Sequence, residues 1–99
     1  MEPLRDEEIV KVIHTIENWH IVEDGNWIQR KYRFKDYLVA LQFVHEIGTH
    51  AETIQHHPFI SIDYKLVNVK LTSWRAKGVT KLDIDCAKHY NEIYNKLIK

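Results

Sequence analysis

Apolar residues recur along the chain with two distinct periods. Ile9, Val12 or Ile13, and Ile16 fall three or four positions apart, the stripe of an amphipathic helix that Asp6 can cap and that should stop near Asn18. Trp19 to Glu23 then reads as a strand, Asp24-Gly25-Asn26 as a turn, and Trp27 to Phe34 as a second strand, so the two form a hairpin. In the second strand Ile28, Tyr32 and Phe34 face one way, and Gln29, Lys31 and Arg33 the other. The helical period returns after Asp36, a capping residue, with Ala40, Phe43, Ile47, Ala51 and Ile54 on one stripe. Gly48 weakens that helix slightly, and Pro58 ends it. Ile60, Ile62 and Tyr64 alternate with polar residues, as do Val67, Val69 and Leu71, which predicts a second hairpin turning near Lys65-Leu66. Beyond Gly78, Thr80 and Asp83 have capping-box spacing, and Ile84, Ala87, Tyr90, Tyr94 and Leu97 line a last helix.

The predicted order is therefore α-β-β-α-β-β-α. Strands joined by hairpins imply a four-stranded antiparallel sheet with the helices on one face, a two-layer α+β sandwich. The two hairpin-helix units form a loose duplication in pattern, though not in sequence. No linker or low-complexity segment interrupts the chain, so residues 1–99 read as one domain. So short a chain buries a modest core, and association into a homodimer or homotetramer is a natural supplement.

Charge narrows the partners. Fourteen basic residues balance fourteen acidic ones, which leaves no electrostatic footprint for nucleic acid and no polybasic segment for lipid. The start, Met1-Glu2-Pro3-Leu4-Arg5-Asp6, lacks the basic-then-apolar order of a signal peptide, and no apolar run approaches membrane-spanning length. A single cysteine, Cys86, excludes an internal disulfide framework and suits a reducing compartment. The expectation is a cytoplasmic protein. Its surplus lies in three Trp, five Tyr and seven His.

The densest chemistry is Glu52-Thr53-Ile54-Gln55-His56-His57-Pro58. Residues four apart share a helix face, so Glu52 is expected to buttress His56 in the last turn. His57, preceding a proline, is pushed toward extended geometry and leaves at another angle. Two imidazoles can thus approach one point from different directions, at a helix end that favours positive charge. Other constellations are weaker. His45-Glu46 and His50 resemble a zinc helix, but the two histidines stand five apart and diverge. His14, His20 and His89 are scattered singles. Ser61 and Ser73 lack nucleophile-elbow glycines, Cys86 with His89 reads as structural, and three scattered glycines make no phosphate loop. Tyr64 in one strand, Trp74 at the end of the next and Trp19 at the start of the first are either core or the wall of a cleft for a flat, polar heterocycle.

Together these residues resemble the pterin-4a-carbinolamine dehydratase family. The family pattern is a charged residue, three residues, His-His-Pro, five residues, an aromatic, nine residues, His or Trp, and then Asp. Glu52, His56-His57-Pro58, Tyr64, Trp74 and Asp83 fit it. Trp19 matches a family tryptophan, and Phe34-Lys35-Asp36-Tyr37 matches the start of the family's long helix. The resemblance implies dehydration of a 4a-hydroxytetrahydropterin, such as 4a-hydroxytetrahydrobiopterin, to quinonoid dihydropterin and water, with no cofactor and no metal. It implies His56 and His57 as the acid–base pair, Glu52, Pro58, Tyr64, Trp74 and Trp19 around the pterin, and Asp83 in support. Animal members carry a third histidine where this chain has Trp74, and an indole cannot shuttle protons near neutral pH. Some members also act as dimerisation partners of a transcription factor, so a non-enzymatic interaction module is the alternative.

Overall fold

The computed structural model describes residues 2–99. Three helices and four strands follow in the predicted order: α1 (Asp6–Ile13), β1 (His20–Val22), β2 (Trp27–Arg33), α2 (Tyr37–Ile54), β3 (Phe59–Asp63), β4 (Leu66–Leu71) and α3 (Lys81–Leu97). The strands pair antiparallel in the order β1-β2-β4-β3, so the second strand of each hairpin takes the centre. Ile28 opposite Leu71, Arg30 opposite Val69 and Tyr32 opposite Val67 point to the same side and are buried. Ala40, Phe43, Ile47 and Ala51 of α2 and Ile84, Ala87 and Tyr90 of α3 are also buried, most of them in one shared core. The α+β two-layer architecture is as the periodicity predicts.

The departures are local and have physical causes. α1 ends at Ile13, well before Asn18. The chain then tightens, with the amides of Thr15 and Ile16 bonding to the carbonyls of Val12 and Ile13. Asn18 takes φ 64°, a left-handed conformation that Asn tolerates better than most residues. Ile16 is nonetheless buried, so the apolar stripe is right where the helix end is not. Arg5, rather than Asp6, is the capping residue. Ile54 sits at the exposed end of α2, off the core stripe. Asp63 pairs with Leu66, which makes Tyr64-Lys65 the β3–β4 turn and puts Tyr64 in it at φ 55°.

Arg30 occupies a core-facing position of β2. Its Nη1 donates to Asn91 Oδ1 at 2.7 Å and to the Glu17 carbonyl at 3.2 Å, and its guanidinium lies 4.3 Å from the Tyr32 ring centre. Pairing and stacking satisfy most of a buried charge that the sheet pattern alone would forbid. No helix among the described residues is long and apolar enough to cross a membrane.

Candidate active site

The site forms where α2 ends. Ile54 is its last helical residue, and Gln55 turns left-handed at φ 54°, with the next amide, that of His56, closing onto the Ala51 carbonyl at 3.1 Å. His56 therefore lies beyond the helix rather than one turn above Glu52. The turn exchanges the expected partners. His57 Nε2 meets Glu52 Oε2 at 2.7 Å, whereas His56 Nε2 meets Asp83 Oδ1 at 2.6 Å. Glu52 thus buttresses His57, not His56.

The two pairs differ in setting. The His56 and Asp83 side chains are 14% and 0% exposed, against 56% and 73% for His57 and Glu52. The hydrogen bond from His57, and then its charge, hold the Glu52 carboxyl below the usual carboxylate range. Asp83 has a double task. Its Oδ2 accepts from the Thr80 amide at 2.9 Å, closing the capping box of α3, and from Ser73 Oγ at 2.8 Å. Its Oδ1 is left for His56. Capping alone, the role the sequence suggests, understates this residue. The pair is a buried carboxylate fixing one ring nitrogen of an imidazole, which sets the orientation and tautomer of the ring. Each histidine commits Nε2 to a carboxylate and keeps Nδ1 without another hydrogen bond among the described residues.

Both histidines line a cleft of about 640 Å³ whose other walls are Gln55, Ser73, Trp74, Arg75, Ala76 and Leu82. Trp74 lines this cleft and is 68% exposed. Pro58 connects His57 to β3. Trp19 and Tyr64 do not line the cleft. Trp19 is buried in the core, its indole N–H shared between Tyr32 Oη at 3.2 Å and Asn91 Oδ1 at 3.1 Å. Tyr64 is exposed in the β3–β4 turn, where its ring faces Tyr37. Its strand separates it from His57: a run of five extended residues spans roughly 17 Å.

Sequence reasoning missed Ser73, Arg75 and Leu82, which carry no recognisable motif. It also missed the pairing of His50 with His89, whose rings approach to 4.4 Å across α2 and α3. Burial, and then His89, push His50 below its ordinary value. Among the described residues no group of three or more His, Cys, Asp or Glu side chains is arranged to hold a metal ion. Cys86 is buried, and burial followed by the Asp83 charge raises its thiol to about 11, which makes it a poor nucleophile.

The chain is similar to known proteins over most of its length. Among curated relatives, a protein of Koribacter versatilis is 41% identical over 91 residues, 92% of this chain and 95% of the relative. One from Aquifex aeolicus is 32% identical over 97% of this chain and 95% of its own length. Both are provisionally named pterin-4-alpha-carbinolamine dehydratase. A crystal structure titled transcriptional coactivator/pterin dehydratase, from Brucella melitensis, superposes with a TM-score of 0.90 at 31% identity, covering 94% of this chain and 99% of that one. A pterin dehydratase-like protein described as a RuBisCO assembly factor of the alpha-carboxysome shares the fold alone, with a TM-score of 0.62 at 14% identity, over 83% of this chain and 90% of its own. The family model described as Pterin 4 alpha carbinolamine dehydratase matches residues 2–93, and the chain belongs to that family.

Proposed function

We propose that the protein dehydrates a 4a-hydroxytetrahydropterin, such as 4a-hydroxytetrahydrobiopterin, to the quinonoid dihydropterin. The C4a–O bond breaks and its oxygen leaves as water with one added proton. The N5–H bond gives up a proton, and its electrons form the C4a=N5 bond. One group must donate a proton while another accepts one, which is the work of two imidazoles near neutral pH. His56, held by Asp83 through Nε2, presents Nδ1 as the acceptor for the N5 proton. His57, exposed and in exchange with water, delivers the proton to the departing hydroxyl through Nδ1. Trp74 walls the cleft and stacks on the heterocycle. Glu52 orients His57.

The observation that carries this reading is the pair of adjacent histidines, each fixed through Nε2 by its own carboxylate, on one cleft wall. Positioned acid–base groups contribute roughly 10²–10⁴-fold, a sufficient gain for a dehydration that already proceeds unaided. The test follows the absorbance of a synthetic 4a-carbinolamine with and without the protein, before and after dialysis against a chelator. Acceleration that survives dialysis is expected. A rate equal to the uncatalysed one would remove the proposal, and activity restored only by a divalent metal would remove its acid–base mechanism.

A further inference from the structure

The cleft holds a cation that the dehydration does not use. Ion pairs among the described residues join Arg5 to Glu7 and Glu8, His56 to Asp83, His57 to Glu52, Lys70 to Glu23 and His89 to Glu92. Arg75 enters none of them, although it lines the cleft beside Trp74. No acidic side chain lines the cleft with it, since Asp83 is fully buried behind His56. The wall also continues beyond the cleft as an aromatic shelf. Trp74 meets the edge of Trp27, with ring centres 5.3 Å apart, and Trp27 stacks on Phe59 at 5.2 Å and 6°. Phe59 and Trp74 are both exposed on that shelf.

The chemistry of a reduced pterin directs a ligand onto these residues. Its reacting atoms are C4a and N5, and N5 is bonded to C6, the carbon that bears the side chain. With C4a and N5 at His56 and His57, the C6 side chain leaves next to the histidines and runs along the remaining wall. We propose that this side chain ends in an anion, a carboxylate or a phosphate, which Arg75 binds while the chain lies over Trp74. The proposal rests on the dehydratase reading of the same cleft. A guanidinium matches both anions through parallel N–H donors, where an ammonium would act only as a point charge.

The test is equilibrium binding by calorimetry of three probes: 7,8-dihydroneopterin, its monophosphate and 7,8-dihydropteroate. The first has a neutral side chain, the second adds a phosphate, and the third adds an aromatic ring with a carboxylate. An anionic probe is expected to bind about three- to tenfold more tightly than the neutral one, the range for a partly exposed charge-assisted pair, and less so at high salt. A gain for the monophosphate alone identifies phosphate, and a gain for dihydropteroate alone identifies the carboxylate with its ring. Arg75→Gln should bring the favoured probe down to the affinity of the neutral one, and Arg75→Lys should restore part of the difference. Equal affinity for all three probes, or a gain that persists in Arg75→Gln, overturns the proposal while leaving the dehydratase reading intact. A change in oligomeric state in Trp74→Ala, with equal probe affinities in the unaltered protein, would assign the shelf to self-association instead. Failure of all three probes to bind overturns the proposal, and the dehydratase reading falls with it only if the protein also fails to accelerate decay of the 4a-carbinolamine.

Discussion

Asp83→Asn isolates the part of the site that the structure makes most specific. The substitution keeps the shape of the side chain, and its carbonyl can still accept from the Thr80 amide and Ser73 Oγ, now at 2.9 and 2.8 Å. The amide then turns toward His56, replacing the acceptor that stands 2.6 Å from Nε2 with a donor. His56 must present a lone pair there, so its proton moves to Nδ1, the nitrogen assigned to receive the substrate proton. The tautomer is wrong, and the imidazolium formed during reaction loses its buried counter-charge. A hydrogen bond to a charged group contributes about 1.5–3 kcal/mol, so kcat should fall by roughly 10- to 150-fold. KM should move little, because Asp83 is fully buried and cannot touch the substrate. The assay is stopped-flow absorbance of carbinolamine decay, with a thermal melt to confirm folding. Ser73→Ala removes one hydrogen bond from the same carboxylate while leaving its bond to His56; because Ser73 also lines the cleft, only its effect on stability, read by the thermal melt, serves as the comparison. A folded Asp83→Asn protein whose kcat stays within about threefold of the unaltered protein would refute the His56–Asp83 pairing as a catalytic device.

Glu52→Gln should cost far less, about fivefold or under in kcat, because its pair with His57 is solvent-exposed and screened; steady-state kinetics at low and high salt checks this. Trp19→Phe should act on stability rather than turnover. Losing the indole hydrogen bonds to Tyr32 and Asn91 costs about 1–3 kcal/mol, a melting-temperature drop of roughly 4–8 °C per kcal/mol, with kcat unchanged. His50 gives a pH dependence of known sign. Its folded state favours the neutral ring, so the unfolded chain takes up the proton first as pH falls. The stability it contributes is present above its ordinary value of about 6.5 and is lost as pH falls through the lower folded value. The groups around it are His45, Glu46, His89 and Lys96. Urea unfolding at about pH 8 and pH 5.5 should show a smaller loss of stability in His50→Gln than in the unaltered protein.

The element order was legible because the apolar stripes are long and their periods unambiguous, as on α2 and α3. Thr80 and Asp83 marked the start of α3 because a capping box is a local device. Features decided by a single backbone angle or by a partner distant in sequence were not legible. Gln55 is an unusual residue for a left-handed cap, where glycine or asparagine is the usual signal, so the sequence predicts a helix through His56 and pairs Glu52 with the wrong histidine. Arg30 sits at a core position by strand alternation, but its acceptance there depends on Asn91 in another helix. Trp19 fits either wall or core by type, and its burial, with hydrogen bonds to Tyr32 and Asn91 far away in sequence, decides for the core. Tyr64 moved out of its strand because the hairpin turns one residue earlier than expected. The structure brings His56, His57 and Trp74 to one cleft with Asp83 bonded to His56, and the fold, not the motif, decides which carboxylate pairs with which imidazole.

The central claim is that His56 and His57 carry the protons of the dehydration. Its most direct test is the rate of dehydration of 4a-hydroxytetrahydrobiopterin by the His56→Ala/His57→Ala protein. Both residues lie past the end of α2, but His56→Ala leaves the buried Asp83 without one of its partners, so a thermal melt establishes that the variant is folded before its rate is read. The account predicts decay at the uncatalysed rate, a loss of the roughly 10²–10⁴-fold that acid–base groups supply. Decay at the rate of the unaltered protein would contradict it.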